Sequence, residues 1–157
     1  MKRILIGALV AVAMIAGPAQ AKTAWGLRGG ITSNPDQVHV GAHVIAGELF
    51  NDGWFIPNVE VGFGDHLTLV ALNPELVYKF VKRGTSDWGF YVGGGLGVNF
   101  ESWDTGVTGK DSNTEIGLNF LGGMSRRLSS GNEFFLELKL GAQNSPDTKV
   151  TAGFTFY

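Results

Sequence analysis

The chain has 157 residues, with 12 Lys and Arg against 14 Asp and Glu, and no cysteine. That balance offers no basic footprint for a nucleic acid, and the lack of thiols excludes disulfide staples, thiolate nucleophiles and zinc–thiolate sites. Twenty-four glycines beside five prolines are unusual for a water-soluble core, so stability has to come from packing or from closure of a sheet.

The chain opens on "MKRILIGALVAVAMIAGPAQA", with basic Lys2 and Arg3, an apolar run from Ile4 to Gly17, and small residues at Ala19-Gln20-Ala21. This pattern predicts a secretory signal peptide over 1–21, cleaved after Ala21. It leaves one domain over 22–157, in which the 14 acidic residues outnumber the remaining 10 basic ones once Lys2 and Arg3 are removed. No later stretch is long and apolar enough for a transmembrane helix.

Eight segments then alternate with the period of a strand. The first half has "AWGLRGGIT" at 24–32, "VHVGAHVIAGELF" at 38–50, "FIPNVEVGF" at 55–63 and "LTLVALNPELVYKF" at 67–80. The second half has "WGFYVGGGLGVNF" at 88–100, "EIGLNFLGGMS" at 115–125, "EFFLELKLG" at 133–141 and "VTAGFTFY", which with Lys149 spans 149–157. Turn chemistry such as "SNPDQ", "NDG", "SSGN" and "NSPDT" separates them. The alternation slips near Ile45–Leu49 and between Leu69 and Val70, both read as bulges. The expected fold is all-β, an eight-stranded antiparallel up-and-down barrel.

One face of these strands is apolar, running from Trp25, Leu27 and Ile31 to Val150, Ala152, Phe154 and Phe156. The other carries Arg28, Glu60, Glu75, Lys79, Glu137 and Lys139, with His39, His43, Asn58, Asn73, Asn99, Asn119 and many glycines. A lipocalin-like carrier would turn the apolar face inward, and a transmembrane barrel turns it out to lipid.

Four features favour lipid. With the first strand starting on the periplasmic side, Trp25, Phe50, Trp54, Phe55, Tyr78, Phe80, Trp88, Phe90, Tyr91, Phe134, Phe135, Phe154, Phe156 and Tyr157 gather at one end as an interfacial girdle. The charged set is mixed in sign, as a narrow lumen requires: Arg28, Lys79 and Lys139 face Glu60, Glu75 and Glu137. Glycines such as Gly93, Gly95, Gly97, Gly117 and Gly123 relieve crowding on that inner face. The longest connection, 101–114, falls on the side opposite the girdle.

"WGFYVGGGLGVNF", "NPELVYKF" and the aromatic end resemble the small outer-membrane β-barrel proteins of the OmpA-barrel and OmpX type, over essentially the whole of 22–157. The resemblance implies delivery through the periplasm by chaperones, insertion by the barrel-assembly machinery, and residence as a monomer among outer-membrane lipid and lipopolysaccharide. It also implies an assembly signal in the last strand, at Phe154, Phe156 and Tyr157, displaced by one position because Phe156 rather than Tyr157 shares the apolar face.

No cofactor or metal site is expected. His39 and His43 lie four residues apart in one strand, about 13 Å at strand rise, too far to share an ion. Ser145, His66 and Asp147 contain the residue types of a hydrolytic triad, but nothing in their spacing brings them together. Asp36, Asp65, Glu101, Asp104, Asp111, Glu115 and Asp147, set against Lys110 and Lys149, read as a solvated acidic rim. The function these features favour is non-enzymatic, in envelope structure or surface interaction; a small-solute pore, a lipid-modifying enzyme and a periplasmic carrier are the alternatives.

Overall fold

The computed structural model describes residues 23–65, 67–80, 88–104 and 110–157; the leader reading and His66 lie outside them. Eleven strand segments form eight barrel strands. These are β1 (Ala24–Ser33), β2 (Gln37–Ile45 and Gly47–Phe50), β3 (Gly53–Phe55 and Asn58–Gly64) and β4 (Leu67–Asn73 and Glu75–Phe80). They continue as β5 (Trp88–Asp104), β6 (Lys110–Arg127), β7 (Glu133–Gln143) and β8 (Thr148–Phe156). Each pairs antiparallel with the next, and β8 returns to β1 from Ser33↔Thr148 to Trp25↔Phe156. The sheet therefore has no edge, the condition for a β-structure to cross lipid.

Alternation places every second residue on each face, and the occupants are inverted relative to a water-soluble protein. Trp25, Val38, Ile116 and Phe120 are 54%, 59%, 60% and 59% exposed, whereas Lys139, Glu60 and Glu75 are each 1% exposed. Apolar surface left outward on this scale, around a charged interior, is stable only against lipid. The fold is an eight-stranded up-and-down transmembrane β-barrel.

Pro57 and Pro74 interrupt β3 and β4 because proline cannot donate to the ladder. The neighbouring strands use the carbonyls left there: Val44 N donates to Pro57 O at 3.0 Å and Leu96 N to Pro74 O at 3.3 Å. Ile56 N donates to Glu75 O at 2.9 Å and Ala46 N to Phe55 O at 3.0 Å. The wall thus stays hydrogen-bonded across its irregular corner.

Of three sequence expectations, one holds and two change. The slip at Ile45–Leu49 is real, with a register shift between Glu48 and Phe50. No bulge separates Leu69 from Val70, because pairing runs unbroken from Asn58↔Asn73 to Gly64↔Leu67. Leu67, Leu69 and Ala71 simply face inward and are buried, so the inner face is apolar at that height. The expected loop over 101–114 is largely hairpin, since β5 runs to Asp104 and β6 starts at Lys110. At about 3.3 Å per residue, β5, with 17 residues, reaches roughly 56 Å, well beyond a hydrocarbon core of about 30 Å. Its outer part need not be apolar outside, which is why alternation did not reveal it.

Candidate functional site

The functional candidate is the filled lumen, built from inward positions of neighbouring strands. At its centre Arg28 of β1 meets three carboxylates. Its Nε is 3.4 Å from Glu60 Oε1, its Nη1 is 3.9 Å from Glu75 Oε2, and its Nη2 donates to Glu137 Oε1. Lys139 of β7 places Nζ 2.5 Å from Glu75 Oε1, 3.5 Å from Glu60 Oε1 and 4.0 Å from Glu137 Oε1. Lys149 of β8 donates to Glu60 Oε2 at 2.8 Å, and Tyr91 OH donates to Glu137 Oε2 at 3.2 Å. Arg28, Lys139 and Lys149 thus balance Glu60, Glu75 and Glu137, all six at most 6% exposed. Neutrality is what such a layer needs, since a buried charge without its partner is costly. Close approach is made possible by Gly95, where a Cβ would meet Pro74 O at 2.2 Å and Glu75 Cα at 2.9 Å.

A layer of amides adjoins the charges. Asn58 Nδ2 donates to Glu75 Oε2 at 2.7 Å, Asn73 Nδ2 to Asn58 Oδ1 at 2.8 Å, and Asn119 Nδ2 to Asn73 Oδ1 at 3.3 Å. Asn99 Nδ2 donates to the carbonyl of Asn144 at 2.8 Å. His39 bridges two hydroxyls, with Nδ1 2.9 Å from Thr32 Oγ1 and Nε2 3.0 Å from Thr151 Oγ1. His43 Nε2 lies 3.0 Å from Thr155 Oγ1, and its ring stands edge-on to Phe135 at 5.3 Å. The His39 ring thus meets two threonine hydroxyls and the His43 ring one, and among the described residues no group of three or more His, Asp or Glu is placed to hold a metal ion.

Toward the end bearing Trp25 and Phe156, Val77, Tyr91 and Leu121 form a small apolar cluster with Ile56 packed against it. A cavity of about 40 Å³ lies beside it, lined in part by Arg28, His43, Glu133 and Glu137. That is room for a few waters.

Lys79 does not join the central layer. Its Nζ pairs with Glu133 Oε1 at 3.3 Å, with both side chains about a fifth exposed, and lies 5.9 Å from the Trp54 ring centre. Its side of β4 was legible, but it sits one residue from the strand end, too near the rim to reach the buried carboxylates. Lys149 takes the place assigned to it. This residue was grouped with the outer rim, although it shares parity with Thr151 and Thr155 on the inner face of β8. Tyr91 and Phe135 also depart from the girdle: both point inward and are buried, at 8% and 6% exposure.

The remaining aromatics do gather at one end. Trp25 and Phe156 meet across the β1–β8 seam at 4.8 Å and Phe134 and Phe154 across β7–β8 at 5.3 Å, while Tyr78 and Phe80 of β4 stand edge-on at 5.1 Å. Tyr157 OH donates to Glu133 Oε2 at 3.2 Å, while Phe154, at 45% exposure, faces outward. At the opposite end, partial burial and neighbouring Glu115 push the Glu101 carboxyl above its usual range. With His66 outside the described residues, the hydrolytic arrangement rests on Ser145 and Asp147 alone. Ser145 is buried, and Asp147 Oδ2 accepts from Asn34 Nδ2 at 2.8 Å.

No family model and no curated protein matches the sequence. Among solved structures, the chain is similar to the Neisserial surface protein A (NspA), at TM-score 0.62 and 16% identity, over 85% of this chain and 94% of that one. It is likewise similar to the N-terminal β-barrel domain of Pseudomonas aeruginosa OprF, at TM-score 0.67 and 12% identity, over 85% and 95%. A third similarity is to the outer membrane enzyme PagL, at TM-score 0.52 and 11% identity, over 85% and 99%. At these identities the likeness speaks to architecture: this chain has the fold of the small outer-membrane β-barrels.

Proposed function

We propose that this chain is a non-enzymatic integral outer-membrane protein whose barrel is closed by its own side chains and which contributes to envelope structure or surface interaction. The observation that carries this reading is the neutral, fully buried layer of Arg28, Lys139, Lys149, Glu60, Glu75 and Glu137. Such a layer occupies the space an aqueous pore would need, and opening it requires separating charges in a medium of low dielectric. In planar bilayers the purified protein is expected to give no large, stable single-channel currents. Sustained conductance would instead favour the small-solute pore. The similarity to the outer membrane enzyme PagL shows that a barrel of this fold can carry an enzyme.

In this reading the leader directs export, and the aromatic end faces the periplasm with the long β5–β6 hairpin outside. The protein is a monomer whose partners are outer-membrane lipid and lipopolysaccharide, with periplasmic chaperones and the barrel-assembly machinery acting during biogenesis. Phe154 and Phe156 supply the assembly signal, and Phe156 is already anchored on Trp25 at the seam. Deleting Tyr157 should leave membrane insertion unchanged, as read from the amount of folded protein in outer-membrane fractions. Loss of insertion would move the recognised residue to Tyr157.

A further inference from the structure

We infer that the β7–β8 loop, Asn144–Asp147, is a lid folded into the outer mouth of the barrel, a second seal in series with the charged layer. The inference rests on the closed-lumen reading above and adds the element that controls access from outside. Ser145 and Pro146 are buried, whereas Asn144 and Asp147 on either side are exposed, so the middle of the loop dips below its ends. Gln143, at φ 61°, occupies the left-handed region that non-glycine residues rarely adopt, and turns the chain inward. The loop is then tied to the wall. Asn99 Nδ2 donates to Asn144 O at 2.8 Å, Gly141 N to Asp147 O at 2.9 Å, and Asp147 N to Asn34 O at 3.3 Å.

The wall is shaped to receive it. A Cβ on Gly117 of β6 would lie 2.4 Å from Ser145 Oγ and 2.5 Å from Ser145 N. On Gly141 of β7 it would lie 2.1 Å from Pro146 O, and on Gly97 of β5 3.1 Å from Ser145 Oγ. Three adjacent strands thus each have a glycine where the loop presses closest, a use of glycine distinct from turn formation. Ser145 Oγ is buried with no hydrogen-bond partner among the described residues. The tip is therefore held by shape and can lift without breaking a side-chain hydrogen bond of its own. Beneath it lie the amides of Asn119 and Asn73, which approach the same Gly97 position and lead down to Glu75.

The chain contains no cysteine, so single cysteines report the lid directly. Ser145→Cys, in intact cells, is expected to react with a membrane-impermeant maleimide about tenfold or more slowly than Ser33→Cys at an exposed position, because reaction waits on local opening. Equal rates would overturn the lid. Adding Gly117→Val to Ser145→Cys should raise its labelling to the Ser33→Cys level, and unchanged slow labelling would overturn the glycine seat. If Gly117→Val does not fold, the comparison of Ser145→Cys with Ser33→Cys still decides. Bilayer currents from the unsubstituted protein separate the two readings. Currents together with slow labelling would remove the closed lumen and the loop's role as a seal while leaving it docked, and no currents together with fast labelling would remove the lid and keep the closed lumen.

Discussion

Replacing Arg28 with leucine is expected to destabilise the barrel by about 3–5 kcal/mol, the usual cost of breaking a buried ion pair by removing one partner. Arg28 contacts all three central carboxylates, so its loss leaves Glu60, Glu75 and Glu137 with only Lys139 and Lys149. A net buried negative charge remains where water cannot reach. Lys79→Leu removes the same formal charge but from a partly exposed rim pair, and should cost less than about 1 kcal/mol. Urea unfolding of the two variants in lipid vesicles measures the difference. If Arg28→Leu is no worse than Lys79→Leu, the central layer is not a closed electrostatic unit. Adding Glu137→Gln to Arg28→Leu should recover part of the loss, since it removes the charge left behind; residues in one network couple in this way.

The second large effect lies on the outer face. Phe120, 59% exposed, sits midway along the outward row Ile116, Leu118, Phe120, Gly122 and Met124 of β6. In lipid, Phe120→Arg places a guanidinium near the bilayer midplane and should cost about 2–4 kcal/mol. In water the same change would be neutral or favourable, because it removes exposed apolar surface. The sign of the effect therefore identifies the solvent of that face. The same vesicle unfolding assay reads it, and a Phe120→Arg variant as stable as the parent would contradict a lipid-facing surface.

The sequence revealed faces better than heights. Period-two alternation identified the inward set because the strand pleat enforces it over many residues. It could not say how far along the barrel each inward residue sits, since that depends on pairing register around the whole ring. Lys79 and Lys139 look equivalent in sequence, yet one ends at the rim beside Glu133 and the other in the central layer. Lys149 was misplaced for the complementary reason: it is the first residue of its segment, beside a turn, and was counted with the outer rim although β8 starts one residue earlier, at Thr148. The lid was hidden because "NSPDT" is ordinary turn chemistry. Its signal lies in Gly97, Gly117 and Gly141, which are spread over three strands and adjoin one loop only in the folded barrel. The apolar inner stretch at Leu67, Leu69 and Ala71 broke the expected polar lumen and was mistaken for a bulge.

The chain closes on itself in lipid around a polar, side-chain-filled interior, and electrophoretic mobility of the membrane-inserted protein in cold detergent, with and without boiling, tests that closure. A closed barrel that unfolds slowly under these conditions should run as a compact species when unheated and shift to the mobility of the extended chain after boiling. A single, unchanged mobility under both conditions would contradict the closed barrel.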